Sequence, residues 1–298
     1  MSATSGAAVQ PPAPLADGAG NASGADPGVP LLTVAGLSGA FRSGHGDRAR
    51  AVQVLRDVNF ELPRGQITAI VGETGSGKSL TALTVMGLCP PRLAVEGSIR
   101  FDGKELLGLD EAGYRGLRGG QIAMVFQDAR SSLNPVLTVG RQLTDVARLH
   151  HGLGKRAGRA LVAETLARVR IPDPVRRMAQ YPHQFSGGMA QRAMIAMALL
   201  CRPRMMLLDE PTTGLDVTTQ ADVMELVVEL ARQDGLTVCL VTHDLGVVGE
   251  TCDRVVVMRG GTVIEQTAAE DFFRAPQADY SQLLLAANRV DDDSGRPS

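Results

Sequence analysis

The stretch that most constrains the fold is a short apolar run followed by a glycine-rich loop. Ile67 to Val71 predicts a buried strand and Ser79 to Gly87 a helix, and between them lies Gly72-Glu73-Thr74-Gly75-Ser76-Gly77-Lys78-Ser79. In such a strand–loop–helix unit the glycines let successive backbone N–H groups wrap a phosphate, and the helix N-terminus adds positive potential. The sequence therefore predicts a nucleotide site, with Lys78 at the β- and γ-phosphates and Ser79 as a Mg²⁺ ligand.

The overall composition narrows the class of protein. The chain has 298 residues, enough for one large or two small domains, and a formal charge of -2, which gives no electrostatic footprint for wrapping nucleic acid. Its 4 cysteines are scattered without metal-site spacing, which is typical of reduced thiols in a cytosolic protein. We see neither a secretory signal nor an apolar run long enough to span a bilayer, so we expect any membrane association to require a partner.

The order of patterns predicts an α/β fold. Apolar strands alternate with helices, which indicates a mainly parallel core sheet with an antiparallel β edge. We expect a single domain over residues 30–288, in which a helical subdomain of about 128–187 is inserted. Residues 1–29, rich in Ala, Gly, Pro and Ser, and the polar residues 289–298 are predicted to be disordered tails, and Arg42 to Arg50 a polar loop.

A second apolar strand delivers two carboxylates. Met205 to Leu208 precedes Asp209 and Glu210, and ligands of open α/β sheets bind at the carboxyl ends of strands. Asp209 suits a Mg²⁺ ion, and Glu210 suits the orientation or deprotonation of the water that attacks the γ-phosphate. Alternatively, the two residues only cap the following helix.

A second anion site is predicted before another apolar helix. Ser186, Gly187 and Gly188 precede a helix that runs to about Cys201, and a serine with glycines at a helix N-terminus can bind an anion. Alternatively, the segment is an ordinary helix cap. Because one nucleotide needs only one phosphate loop in its own chain, a second such site suggests a nucleotide shared between two subunits.

These motifs together resemble those of the ATP-binding-cassette (ABC) ATPases, whose signature is similar to Phe185 to Arg192 here. In that family two cassettes pack head to tail, and each ATP lies between the phosphate loop of one and the signature of the other. The resemblance implies that Gln127 links the Mg²⁺ site to the helical subdomain and that Asp216 lies in a loop that touches the opposite subunit.

The resemblance also assigns two less specific residues. His243, directly after a buried strand, resembles the switch histidine that contacts the γ-phosphate, and Phe41 is the candidate aromatic that stacks on adenine. Taken singly, His243 would more often be an ordinary strand-end histidine and Phe41 a core residue.

Several stretches resemble the oligopeptide, dipeptide and nickel importer branch of the family. They are Ser131 to Pro135, Tyr181 to Gln184 before the signature, Gly77 to Leu83 with Leu80 after the loop, and Tyr280 to Ala287 near the end. Peptide-type members often continue into a cysteine-bearing extension that this chain lacks, so we expect no iron–sulfur cluster. The cargo stays open between peptides and nickel.

The resemblance implies the ATPase subunit of an importer, with ATP and Mg²⁺ as cofactors, at the cytoplasmic face of the membrane. The implied partners are two transmembrane permeases, a second cassette of the same or a different chain and, indirectly, a solute-binding protein, with no nucleic acid. The predicted site comprises catalytic Gln127, Glu210 and His243, metal ligands Ser79, Gln127 and Asp209, and nucleotide contacts Phe41, Gly72 to Leu80, Ser186 to Gly188 and Asp216.

Two other classes compete with this interpretation. A soluble ABC-type ATPase that acts on DNA would separate the loop from the signature by long coiled coils, and Lys78 to Ser186 holds no sustained heptads. Ribosome-associated members generally carry two cassettes in one chain, whereas this chain has one. An exporter ATPase is disfavoured by Ser131 to Pro135.

Overall fold

The computed structural model describes residues 28–43 and 50–294. Residues 1–27 of the predicted N-terminal tail therefore lie outside the described residues. Residues 44–49 of the predicted loop and residues 295–298 also lie outside them. Among the described residues, the strands form two sheets, one of six strands and one of four.

The larger sheet is the parallel core that the sequence predicts. Its strands are β3 (Ile67–Val71), β6 (Ile122–Val125), β7 (Met205–Asp209), β8 (Thr237–Val241), β9 (Arg254–Arg259) and β10 (Thr262–Ala268). Their order is β10-β9-β3-β8-β7-β6, and only β10 is antiparallel to its neighbour. Every residue of β3 and β8 is buried, because both faces of a parallel sheet are covered. The β9–β10 hairpin turns at Gly260 and Gly261, which both have positive φ.

The smaller sheet is antiparallel and covers one face of the core. Its strands, in the order β2-β1-β4-β5, are β1 (Leu32–Ser43), β2 (Arg50–Leu62), β4 (Leu93–Phe101) and β5 (Lys104–Glu105). The β1–β2 arms are longer than predicted and extend into the segment interpreted as a loop, because backbone pairing continues at Arg42↔Ala51 and Ser43↔Arg50 whatever the side-chain polarity. The Gln266 amide joins the two sheets by bonding both the carbonyl and the N–H of Glu61, at 2.8 and 3.3 Å.

Alternate residues of the core strands face two different layers. Leu207 and Val256 pack toward the antiparallel sheet and helix α1 (Lys78–Val85), whereas Met206 and Leu208 pack toward the helices on the other face. The remaining helices are α2 (Glu111–Leu117), α8 (Val217–Asp234), α9 (Leu245–Thr251), α10 (Ala269–Arg274), α11 (Asp279–Ser294) and the helices between β6 and β7. Among the described residues, none of the helices has the length and apolar composition needed to cross a bilayer.

A block of helices lies between β6 and β7, where the sequence predicts a helical subdomain. It consists of α3 (Ala129–Ser132), α4 (Val139–His151), α5 (Lys155–Arg168), α6 (Pro174–Arg177), a 3₁₀ turn (Pro182–Gln184) and α7 (Gly187–Leu199). Its buried residues, such as Leu143 and Leu166, join the same apolar cluster as α8 and one face of the core sheet. Ion pairs reinforce this packing, since Arg170 lies 2.7 Å from both Glu225 and Glu229 of α8.

The C-terminal helix differs from expectation. Helix α11 extends to Ser294, so residues 289–294, which we expected in the disordered tail, have helical backbone. The acidic and polar composition from Asp291 onward suggested a frayed tail. The first strong helix breaker is Gly295, however, and nothing before it stops the backbone hydrogen bonds.

An aspartate ties the two sheets together at the edge where the core strands begin. Asp102, in the β4–β5 turn, accepts hydrogen bonds from Arg204, at 2.7 Å, and from Arg64. These two hydrogen bonds lower the pKa of Asp102 to about 2, and the bond from Arg204 contributes most. A depressed carboxyl pKa stabilises the fold above the ordinary value of 3.8, and this contribution is lost as the pH falls through the folded value.

We therefore expect Asp102→Asn to lower the thermal midpoint at pH 7 by about 2 °C, after discounting the bonds for partial exposure. Asn tolerates the left-handed φ of 51° at this position, and its NH2 group replaces one of the two accepting oxygens, so the variant removes the charge and one of the two arginine hydrogen bonds. In urea unfolding, the difference in free energy of unfolding between the variant and wild type should be roughly half as large at pH 3 as at pH 7. Asp57→Asn, also at a left-handed φ, of 48°, but bonded to Asn59, is the control. If the stability difference between Asp102→Asn and wild type does not change with pH, the lowered pKa of Asp102 is not its cause.

Candidate nucleotide site

The glycine loop joins β3 to α1 in a conformation that requires glycine. Gly72 has φ 145°, and a Cβ there would lie 2.0 Å from the Met258 carbonyl oxygen. Gly77 has φ 101°, and its Cβ would lie 2.8 Å from Leu55 of the antiparallel sheet. Both sheets therefore approach the loop closely, and the predicted strand, loop and helix are all present.

Lys78 is buried at the start of α1. Its Nζ donates to the carbonyl oxygens of Gly72 and Glu73, at 2.8 and 2.9 Å. Burial lowers the pKa of Lys78, and the negative charges of Glu210, Asp209 and Glu73 oppose this shift. The ammonium group is thus held against the loop, with three carboxylates near it.

Ser79 and Asp209 form the next pair. The Ser79 hydroxyl donates to Asp209 Oδ1 at 2.9 Å, across the gap between α1 and the end of β7. Burial raises the pKa of Asp209, and the bond from Ser79 is the largest opposing effect. A half-buried carboxylate beside a hydroxyl offers two oxygen ligands to a small cation.

Glu210 lies at the centre of a polar cluster. Its Oε2 accepts hydrogen bonds from Gln127 Nε2, at 2.9 Å, and from the Thr213 hydroxyl, at 3.0 Å, while Oε1 lies 3.3 Å from His243 Nδ1. Its backbone has φ 45°, a strained conformation for a non-glycine residue, and its N–H donates to the Val241 carbonyl at 2.8 Å. The structure thus brings together the three residues that the sequence assigned to catalysis.

Thr213 is a residue that sequence analysis missed. It fixes the Glu210 carboxylate and lines a cleft of about 190 Å³ in front of Glu210 and His243. A pair of threonines after the two carboxylates was the available signal, but threonine after a strand is common in turns.

The predicted second anion site caps a helix in its own chain. The Ser186 hydroxyl oxygen accepts from the Met189 N–H at 3.2 Å, so Ser186 is the N-cap of α7. Gly187 and Gly188 pack against α8 and the loop before it, since their Cβ atoms would lie 2.9 Å from Leu215 and 2.4 Å from Thr219.

Asp216 caps helix α8 in the same way. Its carboxylate accepts from the hydroxyl and the N–H of Thr219, at 2.7 and 3.0 Å, and these bonds lower its pKa. The signature segment and the Asp216 loop therefore lie side by side. Their contact with a second subunit stays a prediction.

The remaining predicted residues occupy varied surroundings. Phe41 is half-buried on β1, opposite Val52 and Leu93. Thr74 and Gly75 are exposed, Ser76 is buried with an Oγ that has no hydrogen-bond partner among the described residues, and Leu80 packs on the apolar layer under the antiparallel sheet. Their contacts with a nucleotide stay predictions.

A parallel sheet with a glycine loop, a buried lysine and paired carboxylates at its carboxyl edge defines a nucleotide-binding ATPase. The family model described as ABC transporter matches residues 55–213. The chain belongs to the ABC transporter family, and within it to the ATP-hydrolysing cassettes. This confirms the family predicted from the sequence motifs.

Relatives and solved structures agree with this assignment. The chain is 47% identical over 259 residues to the dipeptide transport ATP-binding protein DppD of Bacillus subtilis, covering 86% of this chain and 76% of that protein. It is 47% identical to the oligopeptide transport ATP-binding protein OppD of Haemophilus influenzae, with 87% and 79% covered. A solved dimer of the ATP-binding cassette MJ0796 bound to ADP and Pi has a TM-score of 0.69 at 28% identity, covering 80% of this chain and 99% of that one.

The packing of Gly188 on Thr219 generates a prediction about stability. Gly188→Ala places a methyl group against Thr219 Cγ2, and the Thr219 side chain cannot rotate away without losing its bond to Asp216. We expect the thermal midpoint to fall by roughly 2 to 5 °C. Adding Thr219→Ser, which deletes Cγ2 and keeps the hydroxyl, should restore most of the loss. If the double variant melts no higher than Gly188→Ala alone, the contact is not the cause.

Proposed function

We propose that the chain is the ATP-binding and ATP-hydrolysing subunit of an importer that takes up peptides or a related small solute, with nickel as the other cargo to consider. The observation that carries hydrolysis is the Glu210 carboxylate, held by Gln127, Thr213 and His243 beside the Ser79–Asp209 pair. The direction of transport and the cargo rest on the relatives, which are named for dipeptide and oligopeptide transport.

In this proposal the phosphate loop binds ATP. Backbone N–H groups between Thr74 and Ser79 surround the β-phosphate, and the Lys78 ammonium group moves to the β- and γ-phosphates. The left-handed φ angles of the loop glycines support this role, because they orient successive N–H groups in the same direction. Phe41 stacks on the adenine, and Glu73, Thr74 and Leu80 complete the surroundings of the phosphates.

The residues present fit a Mg²⁺ ion. Ser79, Asp209 and Gln127 supply a hydroxyl, a carboxylate and an amide oxygen, which are the hard ligands that Mg²⁺ prefers. The short Ser79–Asp209 distance of 2.9 Å places two of these oxygens together. When bound, the ion would neutralise charge on the β- and γ-phosphate oxygens.

Glu210 then acts on the attacking water. A carboxylate that accepts two hydrogen bonds at one oxygen keeps a fixed direction, and its second oxygen, Oε1, faces His243. Glu210 orients the water and accepts its proton, while His243 contacts the γ-phosphate. Gln127 connects this chemistry to the helical block, because it lies between β6 and α3.

A second cassette completes the site in this proposal. Ser186, Gly187, Gly188 and Asp216 of one cassette face the nucleotide of the other, and the partner is either a copy of this chain or a different one. The lateral packing of the signature on the Asp216 loop supports this, since both belong to one surface. MJ0796, which is similar to this chain, was solved as a dimer.

The helical block transmits closure to the membrane. Residues of about 128–187 form a helical subdomain within a single domain of residues 30–288, and they contact two transmembrane permeases at the cytoplasmic face. Exposed apolar side chains support this contact, among them Val136 with 75% of its surface exposed and Val175 with 69%. A solute-binding protein acts indirectly through the permeases, and no nucleic acid is involved.

The role of Glu210 is tested by Glu210→Gln. We expect ATP affinity to persist, turnover to fall by about 10² to 10⁴, and a closed dimer to accumulate on size-exclusion chromatography, because the amide cannot accept the proton. Glu164→Gln, which removes an exposed carboxylate on α5, is the control. Near-normal hydrolysis by Glu210→Gln would remove Glu210 from its role.

The transport assignment is tested on native membranes. A tagged chain, extracted in mild detergent, should recover two multi-span permeases and a second cassette, identified by mass spectrometry. Ligand screens with peptides and Ni²⁺ complexes on a co-purified solute-binding protein should then identify the cargo. Recovery of chromatin or ribosomes without membrane proteins would overturn the importer while leaving the ATPase intact.

A further inference from the structure

The first turn of α11 touches the phosphate loop. The Tyr280 hydroxyl oxygen accepts a hydrogen bond from the Glu73 N–H at 3.2 Å, although the two residues are separated by most of the cassette sequence. We propose that Tyr280 is a positioning residue for the phosphate loop, and that it raises the affinity for nucleotide without taking part in hydrolysis. The inference rests on the proposed nucleotide site.

The hydrogen bond acts on the peptide unit that holds Lys78. The N–H of Glu73 and the carbonyl of Gly72 belong to the same planar peptide, so their directions are coupled. Tyr280 bonds the N–H, and Lys78 Nζ donates to the carbonyl at 2.8 Å. By fixing the N–H, Tyr280 fixes the carbonyl that restrains the lysine.

This peptide unit needs such support. Gly72 has φ 145°, a region that is open mainly to glycine, and glycine also loses the most conformational freedom on ordering. A loop that populates its binding conformation for only a fraction of the time binds its ligand more weakly by that fraction. An outside hydrogen bond that raises the fraction therefore raises the affinity.

The core anchors Tyr280. Its ring packs on the apolar cluster that contains Val71, the residue directly before the loop, and Leu285 of the same helix is buried there. The α11 N-terminus is fixed by Glu265 of β10, whose carboxylate accepts the N–H groups of Gln277 and Ala278, each at 3.0 Å. The hydroxyl is thus presented to the loop from a rigid element.

Arg259 reinforces the contact from the end of β9. Its guanidinium carbon lies 4.6 Å from the centre of the Tyr280 ring, within the range of a cation–π interaction. Its Nε lies 4.0 Å from Glu73 Oε1, so the same side chain touches both partners of the hydrogen bond. Tyr280, Arg259 and Glu73 form one cluster beside the loop, which we call the loop clamp.

The test compares Tyr280→Phe, which deletes only the hydroxyl, with wild type and with Lys78→Ala. Equilibrium titration with a fluorescent ATP analogue should give a Kd about threefold to tenfold higher for Tyr280→Phe, the range expected for one hydrogen bond. Because Tyr280 does not touch the reacting atoms, kcat at saturating ATP should stay within about twofold, and KM should rise with the Kd. Leu283→Ala, an exposed position on the same helix, is the matched control and should leave the Kd unchanged.

The outcomes separate the two proposals. If Lys78→Ala loses affinity but Tyr280→Phe binds as tightly as wild type, the loop clamp is overturned and the nucleotide site stands. A tighter Kd for Tyr280→Phe also overturns the clamp, since it would mean that the tether of Lys78 competes with phosphate. If Lys78→Ala keeps the wild-type affinity, the nucleotide site itself fails and the inference fails with it. A fall in kcat with unchanged KM would assign Tyr280 to a later step and contradict a positioning role.

Discussion

The site depends first on the parallel pairing of β6, β7, β8 and β3. Asp209 pairs with Val241, and Val241 pairs with Ile70, so three strand ends meet at one edge of the sheet. The same register pairs Val125 with Leu208, and each lies two positions before a member of the Gln127–Glu210 hydrogen bond. A shift of any strand by one residue would turn these side chains to the other face of the sheet. The catalytic geometry is therefore a consequence of sheet register.

Charge balance is the second constraint on this edge. Burial disfavours the charged form of both Lys78 and Asp209, and each opposes the shift of the other. The site consequently holds a cation and carboxylates that neither solvent nor a close ion pair fully satisfies. Such an arrangement favours the binding of a phosphate together with a divalent cation. The phosphate compensates the charge of Lys78, and the cation compensates the charge of the carboxylates.

Local sequence signals predicted the features that are local in the structure. The strand–loop–helix unit, the β9–β10 hairpin and the two carboxylates at the end of β7 were each visible within about ten residues, and each is present. Contacts between residues far apart in sequence were not predicted, such as the approach of Met258 to Gly72, because they depend on how remote segments pack. The length of α11 was misjudged for a different reason: the acidic and polar composition that suggested a tail does not prevent helical backbone hydrogen bonds, and the first Gly or Pro of this segment is Gly295. The sequence thus determined which groups reach the site, and packing determined what holds them.

The caps at Ser186 and Asp216 show that a structural role and a binding role can coexist. Ser186 uses an oxygen lone pair to accept the Met189 N–H, and the hydroxyl proton stays available as a donor. It can therefore cap α7 and still donate to a phosphate oxygen, together with the N–H groups at the helix N-terminus. Asp216 differs, because each of its oxygens already accepts a bond from Thr219 and a carboxylate offers no proton. In the proposed dimer, an anion would therefore bind on the Ser186 side of this surface, whereas Asp216 would face hydrogen-bond donors of the partner.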